Sequence, residues 1–139
     1  MANEIIKDIR IHHIALKVSD FEKSVRFYSE GLGFKVYRQW GNEVRTIALV
    51  DIGDDSYLEL FSDGTPRDGD REQAGDFIHL AFRVKDTRAA YEQGLAAGAT
   101  PHIAPKEAVL GNNPPLNVSL SFVKGPDGEQ LEFFQPHED

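Results

Sequence analysis

HIALKVSD, residues 13–20, and HLAFRVKD, residues 79–86, share one pattern: histidine, apolar, alanine, apolar, basic, valine, any residue, aspartate. A second pair follows in the same order, YLELF at 57–61 and QLEFF at 130–134, with Glu59 over Glu132. Two ordered matches make the chain an internal repeat, with too few copies and too long a period for a solenoid. Residues 10–18 and 77–84 alternate apolar and non-apolar side chains, the period of a half-buried strand. Asp20 and Asp86 then stand where a helix N-cap is wanted. Phe21, Val25, Tyr28 and Leu32 fall at helical spacing, with Gly31 and Gly33 to end the helix. The second helix, about 87–97, carries Gly94 inside and ends at Gly98.

Three strands are expected after each helix. In the first half they lie near 34–40, 44–52 and 56–62, with turns at Gly41-Asn42 and Gly53-Asp54-Asp55. In the second half they lie near 99–104, 117–124 and 129–135, with a turn at Gly125-Pro126-Asp127-Gly128. Residues 105–116, with Gly111-Asn112-Asn113-Pro114-Pro115, read as a loop suited to covering a site. The fold class is therefore α+β, a βαβββ unit used twice. Module one spans about 9–62 and module two about 77–135, with a polar linker at 63–76, all within one domain of 139 residues.

Composition narrows the function. Forty per cent of the residues are apolar and none is cysteine, so a core is available while thiolate ligands and cysteine nucleophiles are excluded. A net charge of −8 argues against nucleic acid and anionic membrane as partners. MANEIIKDIR at the start is charged and without an apolar stretch, so no signal peptide is expected, and no apolar run reaches the roughly 18 residues of a membrane span. The expectation is a cytoplasmic protein with a small-molecule substrate.

Strand alternation decides which side chains share a face. His13, Ala15 and Lys17 oppose Ile14, Leu16 and Val18; His79, Ala81 and Arg83 oppose Leu80, Phe82 and Val84. Tyr57, Glu59 and Phe61 oppose Leu58 and Leu60, and Gln130, Glu132 and Phe134 oppose Leu131 and Phe133. The all-apolar faces belong under the helices, and each half sets one His and one Glu on the other face. His12, by the same alternation, points away. A charged carboxylate among aromatic residues is costly unless paired. A divalent ion removes that cost, and two imidazoles with two carboxylates suit Ni²⁺, Co²⁺, Zn²⁺, Mn²⁺ or Fe²⁺. Taken singly, each His also reads as a packed side chain and each Glu as a solvated one; recurrence at matching places favours His13, Glu59, His79 and Glu132 as one ligand set.

At these residues the chain resembles the vicinal oxygen chelate superfamily, which includes glyoxalase I (lactoylglutathione lyase), methylmalonyl-CoA epimerase, extradiol dioxygenases and fosfomycin-resistance proteins. HHIALKVSDFEKSVRFYSEGLGF (12–34), YLELF, FIHLAFRVKD (77–86) and GPDGEQLEFF (125–134) carry the likeness. It implies paired βαβββ modules forming an incomplete barrel, the glyoxalase/bleomycin resistance/dioxygenase-like fold, in a homodimer. The His, Glu, His, Glu set looks like glyoxalase I, with Ni²⁺ or Co²⁺ favoured and Zn²⁺ or Mn²⁺ as alternatives. The implied activity is proton transfer next to a carbonyl through a metal-bound enediolate, with Glu132 as base and Glu59 or Glu132 returning the proton. Lys17, Arg83, Tyr57, Phe61 and Phe134 would contact the substrate; Arg45 reads as a solvated strand residue, with charge for an anionic substrate as its alternative. The alternatives are a methylmalonyl-CoA-type epimerase and a metal-dependent binding or resistance protein. Short bacterial glyoxalase I has Arg where this chain has Lys17 and Asn where it has Asp63, positions that help hold glutathione.

Overall fold

The computed structural model describes residues 2–69, 73, 74 and 76–137. It divides into two compact units, one of residues up to Ser29 with Gly33–Thr65, the other of Glu30–Leu32 with the residues from Pro66 on. Each unit holds one four-stranded sheet, and the βαβββ order read from the repeat is the observed one in both.

In the first unit, β1 (His13–Lys17) leads into α1 (Phe21–Arg26), which runs on as a π-helical turn, Phe27–Gly31. Asp20 caps α1 as its position predicts, accepting from the Lys23 N–H at 3.2 Å. The π turn displaces Leu32 from the helix; Ser29 Oγ bonds the Val25 carbonyl at 2.5 Å, a local contact that competes with regular helix pairing. Three strands complete the sheet: β2 (Lys35–Gly41), β3 (Thr46–Asp51) and β4 (Tyr57–Phe61). The order is β1-β4-β3-β2, so the strands bearing His13 and Glu59 are neighbours, and they run parallel. Val18, Phe27, Tyr28, Ala48, Val50, Leu58 and Leu60 are buried, the last two on the β4 face opposite Glu59.

The second unit repeats this with β5 (Leu80–Arg83), α2 (Thr87–Ala96), β6 (Thr100–Leu110), β7 (Leu116–Lys124) and β8 (Gln130–Pro136), in the order β5-β8-β7-β6. Asp86 caps α2 through the Ala89 N–H at 3.0 Å. Residues 105–110, expected in a covering loop, instead prolong β6 against β7, and only 111–115 turn. Pro101 and Pro105 sit where the β6–β7 register shifts, on an edge strand, where a missing N–H does not interrupt a central ladder.

A buried polar contact ties α2 to the strand that carries Glu132. Thr87 Oγ1 donates to the Phe133 carbonyl at 2.7 Å and lies 2.8 Å from Ser121 Oγ, while the Thr87 N–H donates to Gln135 Oε1 at 2.9 Å. Thr87→Val keeps the shape and removes the hydroxyl, leaving Phe133 and Ser121 short of a partner. The expected cost is about 1–2 kcal/mol in urea unfolding; an unchanged midpoint would show the contact to be idle. No helix among the described residues is long and apolar enough to cross a membrane.

Candidate metal and substrate site

Parallel pairing puts His13 beside Tyr57 and Ala15 beside Glu59, so His13 and Glu59 are diagonal neighbours two residues apart. In the second unit Ala81 pairs with Glu132, and His79 lies two residues before Ala81. The alanine is the reason the diagonal works. Its small side chain leaves the imidazole room to lean toward the carboxylate. His13 Nε2 lies 3.5 Å from Glu59 Oε1, and His79 Nε2 lies 3.2 Å from Glu132 Oε1. The structure thus forms two His–Glu pairs, one per unit. No group of three or more potential ligating side chains occurs among the described residues.

The pairs differ in depth. The Glu132 side chain is 8% exposed and that of Glu59 16%. Burial pushes the Glu132 carboxyl above its ordinary range, opposed by the neighbouring His79. A buried oxygen donor facing an imidazole nitrogen suits a divalent cation, which removes the cost of burying the charge. Each pair supplies one imidazole and one carboxylate, donor types that a divalent ion takes.

The expected substrate-contacting residues lie on the same strands. Tyr57 stacks on His12 with ring centroids 5.0 Å apart and meets Tyr37 at 5.5 Å; desolvation, then the Asp51 charge, raises its phenol. Phe61 has the Arg45 guanidinium over its ring at 5.0 Å. Lys17 is exposed, with its ammonium 3.6 Å from Asp63 Oδ2. Arg83 is exposed on β5, opposite half-buried Phe134 on β8.

Two features correct the sequence reading. His12 does not turn away: its Nδ1 lies 2.9 Å from His13 Nδ1, and its carbonyl accepts from the Tyr57 N–H. It precedes β1, so strand alternation does not govern it. Arg45, which reads as a solvated strand residue, donates to Asp63 Oδ2 at 2.6 Å. This bond and the Lys17 charge hold the Asp63 carboxyl below the usual range against the effect of burial. The signal was present, because an antiparallel hairpin turning at Gly53–Asp55 brings residue 45 opposite residue 63. Phe122, also unremarked, sets its ring edge-on to His79 at 5.2 Å.

Residues 10–133 match the Glyoxalase/Bleomycin resistance protein/Dioxygenase superfamily. The uncharacterized protein YwkD of Bacillus subtilis is 39% identical over 132 residues, covering 90% of this chain and 95% of that protein. A probable lactoylglutathione lyase of Vibrio parahaemolyticus is 34% identical over 133 residues, covering 91% and 90%. Among solved structures, a glyoxalase family protein from Enterococcus faecalis superposes with a TM-score of 0.72 at 26% identity, covering 90% of this chain and 96% of that one.

Proposed function

Since the chain belongs to the glyoxalase/bleomycin resistance protein/dioxygenase superfamily, we propose that it is a metal-dependent lyase or isomerase of the lactoylglutathione lyase type. Its reaction is proton transfer next to a carbonyl, on a small molecule with two adjacent oxygens. The observation that carries this reading is the His–Glu pair built twice, at matching positions of two repeated sheets. The name of the Vibrio relative supports the reaction type.

In this reading His13, Glu59, His79 and Glu132 are the residues that would ligate a divalent ion, Ni²⁺ or Co²⁺ before Zn²⁺ or Mn²⁺. Such an ion supplies Lewis-acid polarisation of a substrate oxygen. Glu132 takes the proton from the carbon beside the carbonyl. A metal-bound carboxylate is a poor base, so Glu132 would have to leave the ion to take that role. Glu59 or Glu132 returns the proton to the adjacent carbon. Tyr57, Phe61 and Phe134 give the substrate apolar walls, and Lys17 and Arg83 bound it with charge. The working unit is a homodimer in the cytoplasm; the exposed apolar side chains of Ile11, Trp40 and Phe77 offer surface for association.

The test is turnover of methylglyoxal hemithioacetals by protein stripped of metal and then loaded in turn with Ni²⁺, Co²⁺, Zn²⁺ and Mn²⁺. Metal-dependent conversion to the 2-hydroxyacyl thioester is expected. Unchanged hemithioacetal with all four ions overturns the reading. Solvent deuterium appearing in a recovered 2-methyl acyl thioester would place the chain among epimerases instead.

A further inference from the structure

His13 and its counterpart His79 are held in different ways, although the two units repeat one another. The His13 ring touches a second imidazole: His12 Nδ1 lies 2.9 Å from His13 Nδ1, with the rings edge-on at 5.2 Å. Neighbouring residues of an extended chain point to opposite sides, so strand pairing alone does not bring these rings together. Two contacts hold His12 in place. Its carbonyl accepts the Tyr57 N–H at 2.9 Å, and its ring stacks on the Tyr57 ring at 5.0 Å with 29° between the planes. Tyr37 in turn meets Tyr57 at 5.5 Å. In the second unit Ile78 stands at the matching place, with no side-chain acceptor, and the His79 ring is set edge-on to Phe122 at 5.2 Å. The first pair is also the more open, with the His13 side chain 43% exposed against 36% for His79. An imidazole that open has little packing to fix its orientation, so a bond to its ring has to supply it.

Resting on the metal reading above, we propose that His12 is the positioning residue for His13: its Nδ1 accepts the His13 Nδ1–H and so holds His13 in the tautomer that turns a bare Nε2 toward Glu59. The 2.9 Å contact accommodates one proton, so one imidazole donates and the other accepts. A ligating nitrogen must present its lone pair, and the His13 nitrogen facing the carboxylate is Nε2, 3.5 Å from Glu59 Oε1. The one proton of neutral His13 then sits on Nδ1, which makes His12 the acceptor. A partner behind a ligating imidazole fixes its tautomer and ring orientation and raises its basicity. His12 acts through His13 and has no contact of its own to make with the ion. The repeat therefore orients its two imidazoles by different means, one by a hydrogen bond and the other by the edge contact with Phe122.

The test separates the acceptor from the ring. His12→Phe keeps an aromatic ring against Tyr57 and removes the acceptor, whereas His12→Asn restores a side-chain oxygen near the place of Nδ1 and gives up the stack. Zn²⁺ affinity is measured by competition titration on the wild type and both variants. Nitrogen NMR spectra of the imidazoles are recorded on isotope-labelled, Zn²⁺-loaded wild type. His12→Phe should weaken Zn²⁺ binding about 10- to 100-fold, and His12→Asn should recover most of that loss. In the loaded wild type the proton is expected on His13 Nδ1, with a scalar coupling across the bond to His12 Nδ1. Equal Zn²⁺ affinity of His12→Phe and wild type overturns the proposal. So does a His12→Asn protein as weak as His12→Phe, or a loaded wild type whose His13 carries its proton on Nε2. A wild type that binds no Zn²⁺ overturns the proposal and the metal reading together. Zn²⁺ affinity that depends on His12 in this way, without turnover of the methylglyoxal hemithioacetal by any ion tried, supports the role of His12 and overturns the lyase reading alone.

Discussion

Glu132→Gln is expected to remove bound metal and turnover together while leaving the metal-free fold at least as stable as before. The two effects have opposite signs because the carboxylate serves the ion and strains the fold. Its side chain is 8% exposed, on a strand whose neighbours Leu131 and Phe133 are buried. Burial holds the folded-state proton affinity above that of the unfolded chain. For an acid shifted upward, the folded chain retains the proton over a wider range. The stability it contributes is full below the unfolded value, about pH 4.3, and is lost as pH rises through the raised folded value. Glutamine has no proton to lose. In metal-free protein, therefore, the variant should gain on the wild type as pH rises through the raised folded value. Added Ni²⁺ or Co²⁺ should reverse the comparison. At a hundredfold excess over Kd the wild type gains about 2.7 kcal/mol, and the variant gains little. Loss of the base should lower kcat about 10²- to 10⁴-fold. Metal analysis, thermal melts with and without ion, and turnover of the hemithioacetal check the three parts. A variant that still binds the ion with wild-type stoichiometry and affinity removes Glu132 from the ligand set.

The features that were legible in the chain are those governed by short-range periodicity. Alternation over five residues placed His13 and Lys17 on the exposed face of β1, with Ile14 and Leu16 partly covered behind them. Asp20 and Asp86 were readable as caps because a cap needs only the following three residues. The repeat supplied the equivalence of Glu59 and Glu132 that neither residue carries alone. Where the reading failed, a contact across the sheet had overridden a local cue. Residues 105–110 read as the start of a covering loop, yet pairing with β7 carries the strand on to Leu110. Arg45 looked solvated because its partner lies 18 residues away. His12 looked like one more alternating strand residue, but it stands ahead of the strand and is held by Tyr57. Asp63 and Gly64 were read as the start of a linker. The linker's composition hides that Gly64 donates to the Val18 carbonyl at 3.1 Å, at the end of β1.

Gly64→Ala should therefore destabilise the first unit. A Cβ at residue 64 would lie 2.8 Å from the Val18 nitrogen, 2.9 Å from the Val18 oxygen and 3.0 Å from the Lys17 carbonyl carbon. All three are backbone atoms, and Val18 is itself bonded through its N–H to the Phe61 carbonyl at 2.9 Å. Relief requires the end of β1 to part from β4 or from residue 64. The cost expected is about 2–3 kcal/mol. The same displacement moves Lys17 relative to Asp63 and parts the ion pair between them. Gly94→Ala makes the matched comparison, since it adds the same methyl group to a buried glycine. There the new Cβ would meet Phe133 Cε2 at 3.4 Å and Val123 Cγ1 at 3.5 Å, ordinary contacts with side chains. An alanine inside α2 should add up to about 1 kcal/mol through helix propensity. One glycine is needed for the close approach of two backbones, and the other is an unused opportunity for packing. Urea unfolding of both variants separates these roles. Equal effects of the two substitutions on stability would show that the close backbone approach at Val18 does not require glycine.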